Sequence, residues 1–173
     1  MLSVFSLWQS KFASRITSLL LAMTALLFGG ASISAQAPCH PVHGHTEQHL
    51  LSAPACTSPV GLCTQGSFSG GIQGDYRFIG SSLNATTDTP VTSVSLYTGD
   101  STVHAQVGNG SGDLFLKDAG AFKTTDNGEF VEIASVVGGT GSLTGASGVL
   151  QIGGTFTFIN GGQADYTGMV CVP

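Results

Sequence analysis

Val136-Val-Gly-Gly-Thr-Gly-Ser-Leu-Thr-Gly-Ala-Ser-Gly-Val-Leu-Gln-Ile-Gly-Gly-Thr-Phe-Thr-Phe158 is the stretch whose reading decides the fold. Apolar β-branched residues run into a glycine-rich turn, a short coil follows, and period-two alternation resumes. Glycines at 138, 139, 141, 145, 148, 153 and 154 recur too often for a helix, where each costs about 1 kcal/mol relative to alanine. The residues between them alternate well enough for strands. Glycine also supplies the corner conformations and close backbone approaches that a sharply bent antiparallel sheet requires. The stretch therefore predicts an all-β, closed or nearly closed sheet.

Outward from that stretch, short runs rich in β-branched and aromatic residues alternate with turn residues from Gly66 onward, the pattern of a sandwich or barrel. Strands are expected at about 66–72, 75–83, 91–98, 101–107, 112–117, 129–137, 147–152, 154–159 and 163–171. The polar run from Asp118 to Gly128 reads as a loop, and no segment supports a helix. Gly99-Asp100 fits a two-residue hairpin loop, which would set Leu96 opposite Val103 and place Tyr97 diagonally beside His104. A three-residue loop Asn160-Gly161-Gly162 would oppose Phe158 to Ala164, Phe156 to Tyr166 and Ile152 to Val170. Phe156, Phe158, Tyr166 and Val170 then share one apolar face that fills or lines the interior, and the first three are the candidate ligand-binding residues.

Towards the N-terminus, Lys11 and Arg15 precede an apolar run from Ile16 to Phe28, with small residues at Ala35 and Ala37 suited to cleavage. The run is shorter than the roughly twenty residues a spanning helix needs, so a cleaved leader over residues 1–35 is preferred to an anchor. Export to a secreted or periplasmic location follows, with no membrane association after processing. Residues 63–173 form the expected barrel domain, and residues 36–62, rich in Pro, His, Ser and Thr without an apolar period, read as a loosely held arm.

The chain carries a formal charge of -5, and beyond the leader its fixed cations are Arg77, Lys117 and Lys123. So few cations cannot neutralise a phosphate backbone, which excludes nucleic acid as a partner, and anionic membranes are disfavoured for the same reason. Cys39, Cys56, Cys63 and Cys171 all lie beyond the leader, and an even count in an exported chain predicts two disulfides. Three connectivities are open; pairing Cys39 with Cys56 and Cys63 with Cys171 is favoured because the second pair would join the two ends of the strand region.

Gly138-Gly-Thr-Gly-Ser-Leu-Thr-Gly-Ala-Ser-Gly148, with Phe130-Val-Glu-Ile-Ala-Ser-Val-Val137 before it and Leu150-Gln-Ile152 after it, resembles the Gly-Gly-Thr-Gly-x-Phe-x-x-Ala-x-Gly signature of the dirigent and allene oxide cyclase barrels. The spacing from Cys56 through Cys63 to Gly66 looks like the opening of small exported bacterial proteins with the same barrel. The resemblance implies an eight-stranded antiparallel β-barrel with an axial cavity, often assembled as a homo-trimer. In that family the cavity holds an apolar small molecule and steers its cyclisation or coupling without a cofactor. Leu143 stands where the signature has an aromatic residue, and the family's catalytic carboxylate, arginine and tyrosine find no matching positions here. The resemblance thus carries the fold and not the activity.

Among chemistry-bearing residues, Glu129 and Glu132 are three apart and point to opposite faces of a strand, so they cannot act as a pair. Glu132 shares its face with Phe130, Ala134 and Val136; an internal position would raise its pKa, although a solvated face is the plainer reading. Tyr97, His104 and Glu132 are the candidate proton-handling residues. No serine sits in a nucleophile elbow, and the glycine clusters precede no helix that would make them phosphate cradles. His40, His43, His45 and His49 crowd the arm with metal-ligand chemistry, but without visible partners to orient the rings a hydrated tail is preferred. The sequence therefore favours an exported barrel that binds a small apolar molecule and needs no cofactor. A cofactor-free cyclase or isomerase is the second reading, and an interaction module with a metal-binding arm is the third.

Overall fold

The computed structural model describes residues 38–85, 93–125 and 127–173. The leader expected over residues 1–35 lies outside the described residues. Eight strands follow in order: β1 (Cys39–Leu50), β2 (Cys63–Gly70), β3 (Ile72–Ala85), β4 (Val94–Val107), β5 (Gly110–Lys123), β6 (Glu129–Gly139), β7 (Ser147–Thr157) and β8 (Gly161–Cys171). Each pairs antiparallel with its sequence neighbour, and β1 also pairs with β8, giving a closed eight-stranded barrel. A single 3₁₀ turn, Gly141–Leu143, is the only helical element among the described residues.

Closure depends on the segment read from sequence as an arm. β1 pairs with β2 from Gly44↔Gly70 to Leu50↔Thr64, and with β8 from Cys39↔Cys171 to Gln48↔Gly162. The barrel domain thus begins near Cys39, not at residue 63. The disulfides correct the expectation as well: Cys39 joins Cys171 across the β1–β8 seam, and Cys56 joins Cys63 within the connection to β2. That connection is further pinned by the Ser58 hydroxyl donating to the Gly80 carbonyl at 2.6 Å and by the Arg77 guanidinium on the Ala55 carbonyl.

Two expected hairpins take other forms. Gly99-Asp100 is no turn, because β4 runs unbroken from Val94 to Val107; Tyr97 faces inward and His104 outward, so they do not share a surface. At the last hairpin Thr157 pairs with Gly161, leaving Phe158, Ile159 and Asn160 as the loop, and Ile152, not Phe156, lies opposite Tyr166. The register moves by an even number of residues, which preserves the inward face. The segments expected as separate strands at 147–152 and 154–159 are one strand, and β5 extends through most of the run read as a loop.

Inside, the two halves of the barrel differ. At the end formed by the start of β1 and the end of β8, Ile72, Leu114, Leu150, Tyr166 and Val170 are fully buried and fill the lumen. Leu143, at the centre of the glycine-rich stretch, closes that end: it is completely buried, with Gly110 beneath it lacking the side chain that would collide with its Cδ2. The other half holds a cavity.

Chain-entropy arithmetic separates the two disulfides. Cys39–Cys171 spans 132 residues and Cys56–Cys63 only 7, which gives about 5 and about 2.5 kcal/mol respectively. We expect the Cys39→Ser/Cys171→Ser variant to lose roughly twice the stability lost by Cys56→Ser/Cys63→Ser. Urea unfolding without reductant measures both; equal losses would show that the seam disulfide does not restrain the unfolded chain as supposed.

Candidate functional site

The cavity, about 60 Å³, lies in the half of the lumen built from the later residues of β1, β5 and β7 and the earlier residues of β2, β4 and β6. That volume has room for several water molecules or a small organic group. Its walls carry the apolar rings of Phe68, Phe78, Phe122, Phe130 and Phe156, and set among them are Tyr76, Tyr97, Asp118 and Glu132.

The acidic cluster is assembled by register. On β5, the inward residues after Leu114 and Leu116 are Asp118, Gly120 and Phe122. Gly120 lies between Tyr97 of β4 and Glu132 of β6 in one cross-strand row. Because Gly120 has no side chain, the Tyr97 ring crosses over it and the phenol donates to Glu132 Oε2 at 2.6 Å. A Cβ at Gly120 would stand 2.5 Å from the Tyr97 hydroxyl and 2.7 Å from the Val131 carbonyl oxygen, so only glycine allows this bond.

Asp118 sits between Gly99 and Ala134 in the next row; the Phe78 ring covers Gly99, and Ala134 and Asp118 both line the cavity. It is 4% exposed, and neither carboxyl oxygen has a hydrogen-bond partner. Burial, and then the Glu132 carboxyl nearby, push its pKa up to about 8; the Ser101 hydroxyl offsets this in part without reaching hydrogen-bond geometry. Glu132 is raised by burial too, against the lowering effect of the Tyr97 hydroxyl. Burial also raises Tyr97 and Tyr76, and Tyr76 donates to Gln48 Oε1 at 3.2 Å.

Of the three candidate proton-handling residues, Tyr97 and Glu132 meet in the cavity, and the solvated position preferred for Glu132 is corrected. His104 is outside, its Nδ1 2.8 Å from Asp113 Oδ1. Of the candidate ligand-binding residues, Phe156 lines the cavity, whereas Phe158 is 49% exposed beyond the rim, packed on Phe122 and Phe156. Tyr166 belongs to the solid half: its hydroxyl accepts the Ile72 N–H at 2.8 Å and donates to the Ser69 carbonyl at 3.1 Å, a structural fixture. His43, His45 and His49 alternate along the outer face of β1, with His45 Nδ1 2.5 Å from Asp165 Oδ1, and Cys39 is committed to its disulfide. Among the described residues no group of three or more His, Cys, Asp or Glu converges as a metal site would require.

Asp118 is not among the sequence candidates because the run from Asp118 to Gly128 has the polar composition of a loop. The signal was present: it continues the inward parity of Leu114 and Leu116.

No protein-family model and no curated protein matches the sequence. Among solved structures, the chain is similar to a pterocarpan synthase dirigent protein, with 12% identity over 81% of this chain and 88% of that chain at a TM-score of 0.33. The fold assignment rests on the strand pairing described above, and a likeness at this level adds nothing on activity.

Two expectations follow. Gly120→Ala is expected to cost about 2–3 kcal/mol in chemical denaturation, while Gly153→Ala, with nothing closer than 3.7 Å to the added carbon, stays near zero. Equal effects would sink the argument from ring clearance.

The second concerns pH. A carboxyl raised from 3.8 to about 8 binds its proton more tightly folded than unfolded, so its stabilising contribution is complete below pH 4 and is lost as pH rises towards 8. The loss by pH 7 is on the order of 4 kcal/mol, and Glu132 adds to it with the same sign. Asp113 and Glu129, lowered by His104 and Lys123, act in the opposite direction, below their ordinary range and outside this window. Asp118→Asn should therefore raise the Tm at pH 8 and flatten the decline between pH 4 and 8, as read by thermal unfolding across that range.

Proposed function

We propose that this chain is an exported binding protein whose half-open lumen holds a small, largely apolar molecule, oriented by a polar group against Tyr97, Glu132 and Asp118. The observation that supports the reading is Asp118: a buried carboxyl with two unsatisfied oxygens in an aromatic-walled cavity is costly unless something answers it. A barrel serving only as scaffold gains nothing from that cost, and the filled half shows what this lumen looks like when packing is the sole demand. Two disulfides suit an oxidising compartment, and the leader read over residues 1–35 supplies the route to it.

A second reading is supported by the same cluster. Tyr97 and Glu132 are hydrogen-bonded in one cavity with a second acid whose pKa lies near neutrality, the arrangement that cofactor-free proton transfer in an isomerase or cyclase needs. Binding is preferred as the primary reading because it requires only the cavity and the unsatisfied acid.

Thermal unfolding with increasing phenol or toluene tests the binding reading. We expect a saturable rise in Tm that the Ala134→Phe variant, whose ring would occupy the space beside Asp118, no longer shows. A Tm indifferent to both compounds would leave a scaffold as the better account.

A further inference from the structure

The charge inside the lumen is one-sided. Asp118 and Glu132 face the cavity, and among the described residues no lysine, arginine or histidine lines it. The cationic side chains point outward: Arg77 to the Ala55 carbonyl, Lys117 to Asp100 and Lys123 to Glu129. Two carboxyl groups are thus enclosed by aromatic rings without an internal counter-charge, in a chain whose overall charge is already -5. Asp118, 4% exposed and unbonded at both oxygens, lies beside the open space.

We propose that the cavity takes a small organic cation, an ammonium group on an aromatic or apolar body, with Asp118 and Glu132 as its counter-charges. The proposal rests on reading the lumen as a ligand site and names the chemistry of the occupant. A neutral polar ligand would satisfy one acid's hydrogen bonding and leave the burial cost of the other in place. An anion would bring a third negative charge into the same low-dielectric space, which is strongly unfavourable. A cation offsets both carboxylates at once, and a wall that carries Phe78, Phe122 and Phe130 favours a desolvated ammonium wherever it meets a ring face. Ammonium N–H groups would also supply donors to the Asp118 oxygens that the protein itself leaves unmet.

The cation competes with protons, which sets the pH dependence. Facing Asp118 are Glu132 from β6 and Tyr97 from β4, with Tyr76 of β3 across the cavity; Asp100 and Lys117 act on it from the outer surface. β1, β2 and β7 contribute neutral side chains, among them Gln48, Thr64 and Phe156. Below neutrality Asp118 holds its proton and attracts an ammonium weakly; as pH rises towards 8 it releases it, the burial of Glu132 acts in the same direction, and affinity grows.

Isothermal titration of the purified protein with benzylammonium, benzyl alcohol and benzoate separates the possibilities. At pH 8 benzylammonium should bind at least about tenfold tighter than benzyl alcohol, with proton release into the buffer, and the advantage should fall to about threefold or less at pH 5. Benzoate should not bind. Asp118→Asn and Glu132→Gln should each remove most of the ammonium's advantage while leaving the alcohol's affinity in place; if either fails to fold, the pH profile of the unaltered protein decides. An alcohol that binds as tightly as the ammonium at pH 8, or an advantage that survives both substitutions, overturns the cation and leaves the cavity reading standing. Failure of the ammonium and the alcohol alike to saturate would overturn both.

Discussion

A sheet with two free edges exposes two rows of unpaired backbone groups, and in this protein one strand answers both. β1 bonds to β2 along one side and to β8 along the other, and a disulfide fixes its first residue to the last residue of β8. Everything inside the barrel depends on that closure, because only a closed sheet excludes water from a lumen this narrow. A carboxyl on the inner face of an open sheet would be solvated and ordinary; enclosed, Asp118 holds its proton towards neutral pH and Glu132 is raised by the same burial.

Volume then decides what each half of the lumen is for. In the filled half, large inward side chains meet glycines on neighbouring strands, as Tyr166 does over Gly44, and no room remains. In the other half the same device leaves space. Gly120 admits the Tyr97 ring and Gly99 the Phe78 ring, but on the other side of the short Asp118 side chain Ala134 leaves the row under-filled. The cavity follows from a change in side-chain size along strands that are otherwise regular, without any change in backbone architecture.

Much of this was legible in the sequence, by parity above all. The shared face of Phe130, Glu132, Ala134 and Val136 could be read from β6 before anything was known of its partners, and the structure keeps it. Pairing was harder. Gly99-Asp100 has the residues of a hairpin turn, yet Gly99 is an inward strand residue left bare because the Phe78 ring lies against it, with 2.3 Å between Phe78 Cε2 and the position of a Cβ. β1 lacks a strand signature for a related reason. Its outward residues His43, His45 and His49 are polar, while its inward residues include Gly44, beneath Tyr166, and Thr46 and Gln48, beside a partly polar cavity. No apolar period arises when the inner face is itself polar, so composition suggested a tether. The disulfide pairing depends on the same strand, since only β1 in the barrel sets Cys39 beside Cys171.

The places where local rules fail in this chain coincide with its unfilled half. Of the five buried polar residues among those described, Thr46, Thr64, Ser101 and Asp118 line the cavity and Ser95 does not. A barrel selected for stability alone would carry aliphatic residues there, as it does at Leu114 and Leu150, and would lose nothing by the exchange. Retaining an unsatisfied acid lowers stability at neutral pH by an amount comparable to a large part of a domain's total. Such a cost is tolerated where the folded state gains something from a second species that the isolated chain does not contain, which is why the imbalance of charge in the lumen, more than the barrel around it, points to what this protein does.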